Sequence, residues 1–303
     1  MLKSFRIIGF FLLFLWNAFS YGQIEITLRK SFIDSLKNRV SISINYQIVK
    51  AHPKPNPADK DGDLHIAGIG KHMGLPMVAE IMNAKDYPAA LKIVHGYEGT
   101  ENTITIIGAW RIWCEHAAKG EHQYQGGEFP QIVTSNPSHV FEIHPVTKIG
   151  VIDLTKSIRP IIGFMYKDAD AAFAKYLNTR CKIEPDKRMV KITTYGVGYN
   201  YAEFWIGILD TKQKVVEDGR FIYCKVLDND RKIICERMKM AFPKNTDAED
   251  QVSILKRGDL LHVVGIPRID LSEVSDRVTY SGTNPGMLDL NLPVEMIIVA
   301  VLK

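Results

Sequence analysis

The sequence lacks the short motifs that mark common catalytic and redox sites. Its four cysteines include no Cys-x-x-Cys pair, which argues against a zinc ribbon and against a thioredoxin-like redox motif. No Gly-x-Ser-x-Gly occurs, so the nucleophile turn of the α/β-hydrolases is missing. Gly196-Val197-Gly198 has neither a third glycine nor a predicted helix after it, and is therefore a turn rather than a dinucleotide-binding fingerprint.

A strong excess of either charge is also lacking. The 303 residues carry a formal net charge of +4, and loss of Lys3 and Arg6 with a signal peptide would lower it to +2. Such a chain has no broad basic face, which argues against nucleic acid as a partner. No arginine occurs between Val40 and Trp110, so only Arg111 would be near enough to stabilise phosphoryl charge in a nuclease-type site. The 46% of hydrophobic residues can form a substantial core, and the length suggests two domains.

Residues 1–22 have the composition of a secretory signal peptide. Two basic residues precede an apolar run from Ile7 to Phe19, and small residues at Ser20 and Gly22 permit cleavage. The alternative is a membrane anchor, but the run is shorter than the roughly 20 residues that span a bilayer, and no charged stop-transfer segment follows. We therefore expect a periplasmic or secreted protein with no stable membrane span after cleavage.

Export would place the four cysteines in a compartment that permits disulfides. They are Cys114, Cys181, Cys224 and Cys235. Predicted strands at Phe221–Leu227 and Lys232–Arg237 flank a short connection. If Asn229-Asp230 is a two-residue hairpin turn, Cys224 lies directly opposite Cys235. These two are the candidate disulfide pair.

Residues 38–150 are predicted to form an OB-like β-barrel. Val40–Ile48 alternates apolar and polar residues, as a half-buried strand does. Four further strands are expected at Asp61–Ile69, Met77–Met82, Thr103–Trp113 and Val140–Ile149. Pro88 suits the first turn of a short helix between the third and fourth strands. Three strands, one helix and two strands are the element order of an OB-fold. A small β-sandwich is the alternative, since it accepts alternating strands at the same spacing.

Residues 151–303 are predicted to form a second β-rich domain with one helix. The helix is expected at residues 168–178, where apolar side chains form one stripe. Six strands follow, at 190–195, 203–209, 219–227, 232–240, 260–266 and 294–302, with an exposed loop at 244–251. The predicted fold class is therefore mainly β: an OB-like barrel followed by a β-rich α+β domain.

Eight of the nine histidines lie between His52 and His144. Within this stretch, two short motifs, DGDLH and EIHP, each place an acid and an imidazole two residues apart. Because side chains along a strand alternate faces, Asp63 and His65 share one face, and so do Glu142 and His144. Carboxylate and imidazole at this density suit metal ligation or acid–base chemistry.

These residues resemble a family of exported bacterial proteins. Its members carry Asp-x-Asp-x-His on one strand, a Glu on the next, a His after an aromatic-rich strand, and a late Glu-x-His-Pro-Val. The matching residues are Asp61, Asp63 and His65; Glu80; His116; and Glu142, His144, Pro145 and Val146. The resemblance covers residues 38–150 and implies a domain boundary and a set of residues rather than an activity. Members continue from the His with Gly-Gln, whereas this chain has Ala117-Ala118 and an insertion at 119–131, which weakens the case for His116.

The candidate metal site comprises Asp63, His65, Glu80, Glu142 and His144. The third and fifth strands of an OB-like barrel approach each other, which would bring Glu80 close to Glu142 or His144. Imidazole and carboxylate together suit Zn, Mn, Fe or Ni, whereas carboxylates alone suit Ca or Mg. In the alternative, structural interpretation, the same residues pin a loop and form hydrogen bonds within a partly buried strand face.

Arg111, Trp113 and His116 are candidate ligand-binding residues near the end of the predicted fourth strand. Since no catalytic motif is present, the sequence favours an exported binding or interaction protein whose ligand is a small molecule or another protein. The alternative is a metal-dependent hydrolase, of the phosphodiesterase or nuclease-like kind, that uses the same acid–histidine cluster. An open coordination position beside a cleft would favour the hydrolase.

Overall fold

The structure, a computed structural model, describes residues 22–56, 61–128, 130–209 and 213–302. The predicted signal peptide lies outside these residues except for Gly22. None of the described helices has both the length and the apolar character needed to cross a membrane.

Strands outnumber helices among the described residues. In chain order the strands are β1 (Gln23–Arg29), β2 (Ser41–Ala51), β3 (Leu64–Gly70), β4 (Met77–Ile81), β5 (Thr103–Ile112), β6 (His122–Tyr124), β7 (Phe141–Ile149), β8 (Ile152–Asp153), β9 (Lys167–Asp168), β10 (Arg180–Pro185), β11 (Met189–Tyr195), β12 (Ala202–Ile208), β13 (Lys214–Val216), β14 (Gly219–Leu227), β15 (Ile233–Pro243), β16 (Leu260–Ile269), β17 (Asp289–Asn291) and β18 (Val294–Val301). The helices are α1 (Lys30–Leu36), α2 (Pro88–Tyr97), α3 (Ala169–Asn178), α4 (Asp247–Ser253) and α5 (Leu271–Tyr280).

The first barrel is built from β2, β3, β4, β5 and β7. Antiparallel pairs join β4 to β3, β3 to β2, β2 to β5 and β5 to β7, and the parallel pair of β4 with β7 closes the cylinder. Alternating apolar residues, such as Tyr46 and Ile48 on β2, are buried in its core. Helix α2 follows the third strand and begins at Pro88, as predicted. The prediction of a closed barrel is confirmed, and the sandwich alternative is wrong.

The second barrel repeats this arrangement. Antiparallel pairs join β15 to β14, β14 to β12, β12 to β16 and β16 to β18, and a parallel pair of β15 with β18 closes the ring. Helix α4 again lies between the third and fourth strands of the barrel. The prediction of a mainly β chain with a second β-rich domain is therefore confirmed, and both domains have the same strand order.

A short sequence is shared by the fourth strands of the two barrels. β5 contains IIGAWRI, which ends at Ile112, and β16 contains VVGIPRI, which ends at Ile269. Glycine is required in the first copy because a Cβ atom at Gly108 would lie 2.5 Å from the carbonyl oxygen of Pro145. This repeat was not recognised in the sequence, since seven residues with few identities stand out only when the strands are aligned by topology.

The two arginines of this repeat hold the barrels together reciprocally. Arg111 donates from Nε to the carbonyl of Pro267 at 2.8 Å, and Arg268 donates from Nη1 to the carbonyl of Trp110 at 2.9 Å. Each acceptor is the residue that precedes the other arginine. The barrels therefore pack through a contact with approximate two-fold symmetry, and this contact covers one outer face of each barrel.

A third sheet joins segments from both halves of the chain. Its order is β17-β10-β11-β1-β6, in which β1 pairs antiparallel with β11 and parallel with β6. The sheet was not predicted, because its strands come from distant segments and only β11 had a recognisable strand pattern. It links residues 23–29 to the second half of the chain.

The prediction of an exposed loop at residues 244–251 is wrong, because helix α4 begins within it. The side chain of Thr246 accepts a hydrogen bond from the backbone of Glu249, and Glu249 accepts one from the backbone of Asn245. Val252 is buried on the inner side of this helix. The capping pattern was present in the sequence, but the charged residues around it were interpreted as a solvated loop.

The prediction that Cys224 faces Cys235 is also wrong. Cys224 lies opposite Met238, whereas Cys235 lies opposite Val226. The turn between the two strands has three residues, 229–231, rather than two, because the backbone N–H of Asp228 still donates to the carbonyl of Lys232. Two register shifts then add to the offset. All four cysteines are free.

Candidate metal centre

The acid–histidine residues lie on the outer face of the first barrel, where the second half of the chain covers them. Alternate residues of β4 point into the barrel core, so Val78 and Glu80 point away from it. His65 on β3 lies directly opposite Glu80, and the parallel pairing of β4 with β7 places Glu142 beside Val78. The closed barrel thus brings together residues that are far apart in the sequence.

Asp63, Glu80 and His144 form what we call the inner group. Each is at most 1% exposed, and one potential ligand atom from each lies within 4.8 Å of the other two. His144 Nδ1 is 3.2 Å from Glu80 Oε2, and His144 Nε2 is 3.5 Å from Asp63 Oδ2. The structure therefore brings three of the five predicted metal ligands around one point.

Two polar atoms of the inner group have neither a hydrogen-bond nor an ion-pair partner among the described residues. They are Asp63 Oδ1 and Glu80 Oε1, whereas Glu80 Oε2 and His144 Nδ1 lie 3.2 Å from each other. A buried polar atom without a partner costs about 1–3 kcal/mol, and folded proteins contain few of them. Their presence on two adjacent carboxylates beside His144 indicates a place for a group that would contact all three side chains.

Tyr201, at the entrance to β12, orients two members of the inner group. Its hydroxyl donates to Asp63 Oδ2 at 2.5 Å and lies 2.9 Å from His144 Nε2. Since the single hydroxyl proton goes to Asp63, His144 Nε2 must be the donor in its own contact with Tyr201. Nε2 then carries a hydrogen, and in the neutral imidazole the lone pair resides on Nδ1, which faces Glu80. Sequence reasoning missed Tyr201 because it belongs to the other half of the chain.

Glu142, the fourth predicted ligand, is already strongly paired. Its Oε2 atom accepts from Arg111 Nη1 at 2.6 Å and lies 3.7 Å from His144 Nδ1, while Oε1 is 3.2 Å from His139 Nε2. Arg111 is fully buried and also contacts Glu115 at 3.2 Å. The prediction that Arg111 binds a ligand is therefore wrong, because its guanidinium is held by protein groups.

Trp113 is likewise not a ligand-binding residue. It is fully buried and packs edge-on against Tyr176 of α3, with ring centroids 5.6 Å apart. Strand β5 ends at Ile112, and the second half of the chain covers the residue that follows. The position at the end of the strand suggested exposure, but tertiary packing removed it.

His116, Glu80 and Glu142 form what we call the outer group. One potential ligand atom from each again lies within 4.8 Å of the other two. His116 stacks on His139 with ring centroids 5.1 Å apart and makes no hydrogen bond with the described residues. Glu80 belongs to both groups. His65, the remaining predicted ligand, lies 3.5 Å from Glu80 Oε2.

The electrostatics of the site favour a positive charge at its centre. Burial raises the pKa of Asp63, and burial together with repulsion from Asp63 raises the pKa of Asp61 to about 6. Burial also opposes ionisation of Glu80, but attraction to His144 and His65 leaves its pKa below the usual value. For His144, burial lowers the pKa, and the carboxylates of Glu80 and Asp63 outweigh this and raise it to about 10.

A cleft of about 620 Å³ lies beside the site. The first barrel contributes Asp61, His65, Glu115 and His116 to its walls, and the opposite wall includes Tyr166, Lys167, Tyr199 and Tyr201. His65 and His116 therefore connect the buried carboxylates to a space large enough for a small molecule. The inner group itself is closed from solvent.

The matching face of the second barrel offers a comparison. There Glu295 is paired with Arg268 and with Lys239, each at 2.7 Å, and Lys239 also pairs with Asp270 at 3.0 Å. Lys239 lies beside Glu295 on parallel strands, as Val78 lies beside Glu142 in the first barrel. The second barrel thus supplies its own second cation, and the first barrel has a valine in that position.

A scan of protein-family models gave no match, and a search of curated proteins gave none either. Two of the solved structures that match the chain show how weak the likeness is. One, described as "Structural mimicry for functional antagonism", is 14% identical with a TM-score of 0.18, and the match covers 75% of this chain and 83% of the other. The second, "Structure of murine DNA binding protein bound with ds DNA", is 9% identical with a TM-score of 0.19 over 86% and 99% of the two chains. At these TM-scores neither likeness supports an argument about function.

Proposed function

We propose that this chain is an exported binding protein whose first barrel, an OB-fold, holds one divalent transition-metal ion between Asp63, Glu80 and His144. Two observations carry the proposal: buried ligand atoms of these three residues lie within 4.8 Å of one another, and Asp63 Oδ1 and Glu80 Oε1 have no partner among the described residues. Buried carboxylates are tolerated when they are paired or when they coordinate a metal ion. A single cation at this point would provide a partner for all three side chains.

Charge balance supports the same conclusion. Asp63, Glu80 and Glu142 are three buried carboxylates, and Arg111 is the one guanidinium among them. Binding of a cation through an imidazole nitrogen requires a neutral histidine, and two negative charges then remain, which one divalent cation would neutralise. In the second barrel Lys239 fulfils this requirement from within the protein.

The donor set favours zinc or manganese over calcium. The inner group offers one imidazole nitrogen and two carboxylates, whereas calcium prefers six to eight oxygen ligands. Tyr201 bonds to both Asp63 and His144, as an outer-shell residue of a metal site does when it fixes the tautomer and the orientation of a ligand.

Metal analysis of the mature protein, residues 23–303, after incubation with Zn²⁺ or Mn²⁺ and desalting, tests the proposal. We expect bound metal in the wild type and none in His144→Ala, because removal of Nδ1 eliminates the only nitrogen of the inner group. His95→Ala is the matched control, since His95 is half-exposed on α2 and pairs with Glu98.

A purely structural role gives a different result. The wild type would then bind no metal. In urea unfolding, His144→Ala would have a free energy of unfolding about 1–3 kcal/mol lower than the wild type, as expected for loss of a buried hydrogen-bonding group. Metal retained by His144→Ala would also contradict the proposed ligands.

A metal-dependent hydrolase is the second candidate, favoured by the cleft that reaches the cluster through His65 and His116. Metal-stimulated cleavage of bis(p-nitrophenyl) phosphate by the wild type, lost in His144→Ala, would support it. Lys167 is the one lysine or arginine among the residues that line the cleft, and it lies over the ring of Tyr199 at 4.9 Å. The cleft therefore has little positive charge with which to hold a phosphodiester before the metal binds.

A further inference from the structure

We infer that the site takes a second divalent cation, at the outer group formed by Glu80, His116 and Glu142, so that Glu80 bridges two metal ions. This inference rests on the proposed inner site. It makes the centre dinuclear and places its second ion beside the cleft.

The geometry of Glu80 is the main support. The residue is 1% exposed, and its Oε1 atom has no partner among the described residues, whereas Oε2 lies 3.2 Å from His144 Nδ1 and 3.5 Å from His65 Nε2. One carboxylate oxygen of Glu80 lies within 4.8 Å of ligand atoms of Asp63 and His144. An oxygen of the same carboxylate also lies within 4.8 Å of ligand atoms of His116 and Glu142. A carboxylate with one oxygen facing the inner group and the other without a partner can bind one cation through each oxygen.

His116 has the properties of a ligand rather than of a packing residue. Its ring is held by stacking on His139, yet its nitrogens make no hydrogen bond with the described residues. It lines the cleft, whereas the inner group is closed. The outer cation would therefore be the one that a ligand in the cleft can reach, and carboxylate or phosphate oxygens are the groups that a divalent cation there would bind.

Both oxygens of Glu142 have protein partners, so the outer cation would take the place of His139 at Oε1 while the pair with Arg111 is kept. That ion pair uses Oε2, while Oε1 faces His139 at 3.2 Å. Charge balance over the wider cluster also allows two ions. Asp61 and Glu115 line the cleft and add two carboxylates to Asp63, Glu80 and Glu142, against Arg111, and the other two charged residues of the cleft, Lys167 and Asp168, offset each other. Five acids and one guanidinium leave four negative charges with neutral histidines, the charge of two divalent cations.

The inference is tested by metal stoichiometry and by electron paramagnetic resonance of the Mn²⁺-loaded mature protein. We expect two ions per chain in the wild type and a spin-coupled spectrum, because ions that share a carboxylate lie about 3.5–4 Å apart. His116→Phe keeps an aromatic ring on His139 and removes both nitrogens. We expect this variant to retain one ion with an uncoupled spectrum, and His95→Phe to retain two.

The outcomes separate the two proposals. No metal in the wild type would overturn both. One ion in the wild type, with an uncoupled spectrum and no change in His116→Phe, would leave the inner site standing and overturn the outer one. Two ions retained in His116→Phe would show that His116 is not a ligand and would also overturn this inference. If His116→Phe fails to fold, His116→Ala is measured against the same expectations.

Discussion

At the scale of the residue, Tyr201 shows how a side chain from one half of the chain defines the chemistry of the other. Its hydroxyl lies between Asp63 and His144, and both contacts are buried. The hydroxyl of Tyr201 donates to the carboxylate of Asp63, so the imidazole of His144 must donate through Nε2. The other ring nitrogen, Nδ1, then faces Glu80. A buried Tyr201 also has little tendency to ionise, because burial and the charge of Asp63 both raise its pKa.

Replacement of Tyr201 by Phe should weaken metal binding by about 10–100-fold, the usual effect of losing an outer-shell partner of a ligand. The ring is retained, so packing changes little. The affinity is measured by competition with a chromogenic chelator. Tyr195→Phe is the control, since Tyr195 is exposed and contacts only the side chain of Gln23 through its hydroxyl. Equal affinity in Tyr201→Phe and the wild type would mean that Tyr201 does not orient the ligands.

At the scale of the element, the start of α5 shows how a cap and a buried ion pair combine. Asp270 accepts from the backbone of Ser272 at 2.9 Å and of Glu273 at 3.3 Å, and it pairs with Lys239 at 3.0 Å. Burial raises the pKa of Asp270, but Lys239 and the hydroxyl of Ser272 outweigh this, and the pKa is below its usual value. The ionised carboxylate therefore stabilises the fold at pH values above the pKa that Asp270 has in the unfolded chain. This stabilisation is lost as the pH falls through the lower pKa that Asp270 has in the folded protein.

Asp270→Asn should lower the free energy of unfolding by about 1–3 kcal/mol at pH 7, because asparagine can still cap the helix but cannot pair with Lys239 as a charge. The difference from the wild type should narrow as the pH is lowered below about 4, where the aspartate of the unfolded wild type becomes protonated. Urea unfolding at pH 7 and pH 3 measures both values. Asp276→Asn, on the exposed side of the same helix, should change stability little at either pH. A difference that widens at pH 3 would contradict the assigned direction.

At the scale of the whole molecule, two barrels of the same topology face each other through reciprocal contacts of Arg111 and Arg268. Each arginine pairs with a glutamate on the fifth strand of its own barrel. The faces differ at the ligand positions, since Ala241 and Ile297 of the second barrel correspond to Glu80 and His144 of the first. They also differ beside the glutamate, where the second barrel has Lys239 and the first has Val78. We interpret both differences as the reason that only the first face is suited to an external cation.

Val78→Lys should therefore abolish metal binding while the protein remains folded. A lysine there would place a positive charge beside Glu142, where it would repel the metal ion. Repulsion between two unit charges 4 Å apart is about 4 kcal/mol at the effective dielectric of a protein surface, which lowers the affinity roughly a thousandfold. Val78→Met adds similar bulk without charge and should retain the metal. Stoichiometry after Zn²⁺ loading, with circular dichroism as the check on folding, gives the result. Metal bound equally by both variants would refute the comparison between the barrels.

Local patterns in the sequence were sufficient for the barrels. The alternation in Val40–Ile48, the apolar run that became β5 and the proline that opens α2 act over a few residues, so strand and helix positions could be predicted closely. The shared faces of Asp63 with His65 and of Glu142 with His144 follow from the same period of two. Helix α4 could also have been predicted, since the cap at Thr246 lies within four residues of sequence.

By itself, the sequence determined the strands of the two barrels, helices α2 and α3, the closed first barrel and the candidate ligands, because these depend on short-range periodicity and on the order of the elements. Only the tertiary structure decided that Arg111 and Trp113 are buried, that Tyr201 reaches Asp63 and His144, and that the two barrels repeat. The register of Cys224 against Cys235 likewise depended on a turn length and on bulges that composition does not specify. The reason is physical. Contacts between residues more than 100 positions apart determine which polar atoms have a partner, and those residues meet only when the second barrel packs against the first.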